Sequence, residues 1–222
     1  MDRTRSSRLR FQGSRIGAAL AFGALALTGC NSLAAALLTP ALDREAATLR
    51  PGDFRLDTAH AALLFRINHL GFADYVGRFD RFEASLSGDP ADPGSAEVEA
   101  IIDIASLNVA NRDFEAQLTG RDWLDAANHP QAIFRSRSVR LTGPASAEVA
   151  GDLTLRGRTR PITLDVRFNG SAYDRLRGAD VAGFSASAEI NRSEFGIDRY
   201  SGLITDIVRF EIEAEFIRNG PG

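Results

Sequence analysis

The sequence predicts an all-β fold, an antiparallel barrel of eight strands with one helical insertion. Three observations lead there. From Phe54 onward, short segments alternate apolar and polar side chains with a period of two, as strands do when one face is buried. Turn-forming residues separate several of these segments by only a few positions, so that neighbours in sequence pair antiparallel. One stretch, 106–130, breaks the alternation and carries a helix signal, which fits a barrel with a helical lid or plug.

The chain opens differently. Residues 1–15, MDRTRSSRLRFQGSR, hold five arginines and one acid, and residues 16–27, IGAALAFGALAL, are small and apolar. These are the charged and apolar regions of a secretory signal peptide, and the lack of an Arg-Arg pair favours general export over the twin-arginine route. The Leu27-Thr28-Gly29-Cys30 that follows contains the only cysteine and resembles the lipobox of bacterial lipoproteins, whose cysteine is acylated and becomes the first residue after cleavage. The competing reading is an uncleaved anchor, with an apolar run from Ile16 to Leu42 long enough for a hydrocarbon core of roughly 30 Å. Either places the body outside the cytoplasm, because the arginine-rich end stays inside. Residues 1–29 are therefore expected to be a signal peptide, 30–53 a lipidated tether ending in a Pro-Gly turn signal, and 54–218 the barrel. Acylated Cys30 makes the membrane a partner, and Asn31 favours the outer membrane on its periplasmic face.

Composition excludes several chemistries. All 26 basic residues are arginine, so no lysine is present for a Schiff base or as a nucleophile. The body has no thiol. Cleavage before Cys30 leaves 21 basic and 28 acidic residues, a net charge of about −7, which is a poor match for nucleic acid.

The strands follow in order. A short one is expected at 54–59. The next has Leu63, Phe65, Ile67 and His69 opposing Leu64, Arg66 and Asn68. Weaker alternation marks 76–87, and the loop GDPADPGS closes a hairpin into a strand where Ala96, Val98, Ala100, Ile102 and Ile104 oppose Glu97, Glu99 and Asp103. Within 106–130, Asn111 is placed to cap a helix in which Phe114 and Leu118 lie one turn apart. Strands are expected again at 132–141, 147–156, 160–169 and 181–191, with RGRT at 156–159 as a hairpin turn and Pro161 at a strand start. In the last strand Val208, Phe210, Ile212, Ala214 and Phe216 face away from Arg209, Glu211, Glu213 and Glu215.

Four stretches resemble the YceI-like, or polyisoprenoid-binding, family in the family's order. They are LDTAHAALLFRINHLGFADYVGRFDRFEASL, HPQAIFRS, VAGDLTLRGRTRPITLDVRFNG, and FSASAEINRSEFGI followed by DIVRFEIEAEF. The resemblance implies a lipocalin-like eight-stranded barrel with a helix and an elongated apolar interior that holds a long isoprenoid lipid; it also admits a homodimer. Arg156 stands where the family usually has a basic or histidine residue before the hairpin glycine.

Site candidates follow from the faces. Inward positions mix large residues with small ones (Ala96, Ala100, Ala186, Ala188, Gly151), a combination that leaves a channel. The expected lining is Leu63, Phe65, Ile67, His69, Phe79, Ile102, Phe168, Phe210 and Ile212, with Arg156 at the mouth for a charged head group. No cofactor beyond the bound isoprenoid lipid is expected. His60 and His69 are too far apart along one strand to share a metal, and Ser193 and Glu194 have no histidine nearby for a hydrolytic triad. The leading expectation is an exported carrier of a quinone or polyprenyl lipid. The alternative is a barrel enzyme or accessory factor acting on a lipid or oxidant for a membrane cytochrome.

Overall fold

The computed structural model describes residues 38–220; the expected signal peptide, Cys30 and the first part of the tether lie outside them. Ten strands follow: β1 (Gly52–His69), β2 (Ala73–Phe79), β3 (Phe82–Asp89), β4 (Asp92–Asp103), β5 (Leu107–Asn108), β6 (Gln131–Gly143), β7 (Ser146–Leu155), β8 (Arg158–Asp174), β9 (Ala179–Asn191) and β10 (Ile207–Arg218). An α-helix, α1 (Arg112–Thr119), lies between β5 and β6. All pairings between named strands are antiparallel, and β10 pairs with β1 to close the sheet. β3 pairs with the start of β1 and β2 with its end, so the two are successive halves of one path around the barrel. The closed barrel therefore has eight positions around its circumference, as the sequence predicts.

Two expected elements merge. The short strand at 54–59 and its successor are one strand of 18 residues, whose register against β10 shifts between Leu56 and Ala61. Asp57, Thr58 and His60 fall in that irregular stretch and hide the continuity from a pattern search. Conversely, the expected strand at 76–87 is broken between Phe79 and Phe82. Part of the expected tether also belongs to the barrel unit: Asp43 exchanges backbone hydrogen bonds with Ser171, and Ala46 N–H donates to the carbonyl of Pro144.

The turns follow from local chemistry. Arg156 and Gly157 have φ of 49° and 69°, the pair of left-handed residues that a two-residue type I′ turn requires. Pro161 costs no ladder bond, because β9 pairs with β8 only from Asp165 onward. The carboxamide oxygen of Asn111 accepts from Phe114 N–H at 3.1 Å, which caps α1 as expected.

Outside, the barrel wall carries cross-strand ion pairs such as Arg66–Glu211, Arg209–Glu189 and Arg135–Glu99, each at 2.7 Å. Exposed pairs of this kind contribute little to stability and mainly keep the outer face wetted. Inside, one buried cluster gathers around Leu63, Phe79 and Phe134 at the end bearing α1, and a second around Phe54, Phe168 and Phe216 at the opposite, hairpin end. No helix among the described residues is long and apolar enough to cross a membrane.

Candidate functional site

The inward side chains do not meet across the barrel. They leave a cavity of about 610 Å³ between the hairpin end and the α1 end, within the range of small-molecule sites. Leu63, Phe65, Ile67, His69, Phe79, Ile102, Phe168, Phe210 and Ile212 all line it. The space arises because alanines at positions 84, 96, 100, 186, 188 and 214 share the inner face with these larger residues.

Glycine contributes in another way. A Cβ at Gly151 would lie 2.6 Å from the Phe134 ring and 2.4 Å from the carbonyl oxygen of Arg135. Gly151 therefore makes room for Phe134 and not for a channel, contrary to expectation. Gly77, opposite Phe65 across β1 and β2, plays the same part: a Cβ there would lie 2.3 Å from the Phe65 ring.

Six polar side chains reach the cavity wall: His69, Tyr75, Asp89, Trp123, Ser146 and Arg192. Arg192 is only 2% exposed. Its guanidinium donates to the carbonyls of Thr205, Ile197, Arg199 and Ile204 at 2.8–3.2 Å and pairs with Asp206 at 3.0 Å. Those contacts use all five of its N–H groups, so it fastens the 197–206 segment and has none left for a ligand. Asp89 accepts from Ala91 N–H at 2.9 Å, and the Ser146 hydroxyl accepts from Thr142 at 2.9 Å.

The other three are less occupied. Trp123, the only tryptophan, is buried with its ring centroid 6.1 Å from that of Tyr200, and its Nε1–H meets no acceptor among the described residues. The Tyr75 hydroxyl makes one long hydrogen bond, 3.4 Å, to the carbonyl of Val109. Burial, with a smaller effect from Glu115, pushes its pKa above the ordinary phenol value. The His69 imidazole is exposed at the end of β1 and has no hydrogen-bond partner among the described residues, so the cavity wall meets solvent there.

Arg156 does not reach the cavity. From the turn between β7 and β8 its side chain donates to the carbonyl of Gly196 and, at 2.9 Å, to that of Arg121. The tight turn and its left-handed backbone direct the guanidinium across the α1 end, where it joins two loops away from the cavity wall. Gly196, with φ of 77°, lies against both Arg156 and Arg158. His129 packs over Gly157 in the same region.

Asp57, His60 and Glu215 come within 4.8 Å of one another on the outer wall. The place a cation would take is held by the Arg177 guanidinium, 2.7 Å from Glu215, 3.0 Å from His60 Nδ1 and 3.4 Å from Asp57.

Tyr75, Trp123 and Arg192 were not expected on the wall. Strand parity reveals two of them, since Tyr75 continues the inward series of Gly77 and Phe79, and Arg192 that of Ala188 and Ile190. Trp123 lies in a loop, where parity says nothing.

Comparison with known proteins adds a family. The model of the YceI-like domain matches residues 54–216. A UPF0312 protein of Pseudomonas savastanoi pv. phaseolicola is 36% identical over 169 residues, covering 75% of this chain and 87% of that protein. The crystal structure of BcnA from Burkholderia cenocepacia superposes with a TM-score of 0.66 at 24% identity, over 72% of this chain and 98% of that one. A polyisoprenoid binding domain from Saccharophagus degradans superposes with a TM-score of 0.54 at 17% identity, over 75% and 98% of the two chains.

Proposed function

Because the chain belongs to the YceI-like family, we propose that it is an exported binder of a long apolar lipid, an isoprenoid such as a quinone or polyprenyl compound, and not an enzyme. The cavity carries this reading. Its wall is apolar apart from six side chains, and three of those are already committed to the protein. A chain buried there gains about 0.8 kcal/mol per methylene, against an association cost of about 4–15 kcal/mol, so a long tail binds without a charged contact. The name of the Saccharophagus domain agrees with such a ligand. Acylation at Cys30 would hold the carrier at the periplasmic face of a membrane, with the outer membrane favoured; Cys30→Ser should shift it to the soluble fraction on fractionation.

The interior itself is tested by contrast. Ile67→Asp or Ile212→Asp places a charge against an apolar tail, whereas Arg66→Gln changes only the outer wall. With circular dichroism confirming the fold, solvent extraction and mass spectrometry should find the lipid lost from the first two and kept by the third. Lipid retained at wild-type stoichiometry in folded Ile67→Asp and Ile212→Asp would sink the reading.

A further inference from the structure

The polar groups on the cavity wall are not spread evenly, and their distribution orients the ligand. At the hairpin end Asp89 and Ser146 each accept one hydrogen bond within their own turns. At the α1 end Arg192 has spent every N–H on backbone carbonyls and Asp206. Tyr75, His69 and the Nε1–H of Trp123 retain capacity, and the first two stand together on neighbouring strands. The register sets Ile67 opposite Tyr75 and His69 opposite Ala73, so both side chains stand on the inner face as diagonal neighbours, roughly 7–8 Å apart at the backbone. The Phe114 ring closes over Tyr75 edge-on at 5.4 Å.

We propose that His69 and Tyr75 form the head-group site of this barrel, and that it takes a neutral oxygen function, an alcohol or a carbonyl, with the lipid chain running from there toward Phe168 and Phe184. This rests on the lipid-binding reading above and sharpens it. The phenol donates to the ligand oxygen in place of its long bond to Val109, and the imidazole supplies a donor or acceptor at the solvent edge. An anionic head is disfavoured for two reasons. Arg192, the only arginine on the wall, has no N–H free. The Glu115 carboxylate, accepting from Val109 N–H at 2.9 Å, lies beside the residue whose carbonyl Tyr75 touches. A phosphate there would meet a like charge without a counter-ion.

The test uses Trp123, the sole tryptophan and a wall residue, as reporter. The delipidated full chain is titrated with geranylgeraniol, geranylgeranyl phosphate and squalene, and the fluorescence change gives each affinity. The alcohol should bind at least tenfold more tightly than the phosphate. Tyr75→Phe and His69→Leu should each weaken the alcohol by about three- to tenfold, the range of one hydrogen bond, and leave squalene unchanged. Equal affinity for alcohol and phosphate, or an alcohol affinity indifferent to both substitutions, overturns the head-group site while the apolar cavity stands. Failure of alcohol and squalene alike to bind would overturn the lipid-binding reading, and the head-group site with it.

Discussion

A missing side chain at Gly77 decides where Phe65 lies. Glycine inside a strand ordinarily costs about 0.5–1 kcal/mol relative to alanine, so Gly77→Ala would stabilise an open site. Here the added methyl meets the Phe65 ring on one side and, at 2.8 Å, Val109 on the other. Overpacking should reverse the sign, and urea denaturation should show a loss of about 1–3 kcal/mol. Arg192 is the opposite case, a long side chain that must be present. Arg192→Met takes the guanidinium from Asp206 and from four backbone carbonyls and should cost about 3–5 kcal/mol, visible as a large drop in the denaturation midpoint. In the sequence, Arg192 lies in a run of polar letters, Asn191 to Glu194, that looks like surface. Its role depends on carbonyls from residues 197–205, which fold back over it only in three dimensions, so strand parity, which points it inward with Ala188 and Ile190, does not say what it holds.

The elements were legible wherever one face is wet and the other dry. β10 could be read letter by letter because its glutamates point at solvent and Phe210, Ile212 and Phe216 at the cavity. β1 could not, because its irregular stretch places Asp57 and His60 where alternation should continue. The same stretch brings Asp57 beside Arg177 of the turn between β8 and β9 and Glu215 of β10. Burial alone would raise the Asp57 carboxyl, but the His60 hydrogen bond, the Ala59 N–H and the positive charges nearby together hold it below its ordinary 3.8. A carboxyl depressed in the fold contributes stability that is complete above the unfolded value and is lost as pH falls through the folded one. Asp57→Asn should therefore lower stability at neutral pH and flatten its decline below about pH 4, measured by thermal melts across that range. Arg156, expected at the mouth for a charged head group, lies off the cavity for a related reason: two loops distant in sequence supply acceptors for its Nη atoms. Arg156→Ala should speed amide hydrogen exchange in residues 120–126 and 194–197 and leave affinity for squalene close to wild type, because the clamp lies outside the cavity wall.

For the molecule as a whole, the cavity sets a length. Each five-carbon unit added to an isoprenoid buries surface worth up to about 4 kcal/mol gross until the barrel is full, after which further units project into water. Affinity measured by Trp123 fluorescence should therefore rise steeply along a prenol series and then level off, whereas a surface groove would show no plateau. The volume behind that plateau was only half visible beforehand: the alanines on the inner face announced open space, but nothing in the order of residues says that Phe134 fills the place beside Gly151.

The pairing that closes the barrel joins its first strand to its last, with Phe54 opposite Arg218 and Asn219 N–H donating to the carbonyl of Asp53 at 2.8 Å. This has a consequence in time. β1 cannot gain its second neighbour until the far end of the chain has been made and delivered, and contacts this distant in sequence form slowly. Until residue 218 arrives, a partial sheet presents two unpaired edges and its whole apolar lining to water, the condition in which chains associate wrongly. Removing β10 should thus yield not a looser carrier but an aggregating one, and the hazard lies in the interval of synthesis before the twelve residues of β10 appear.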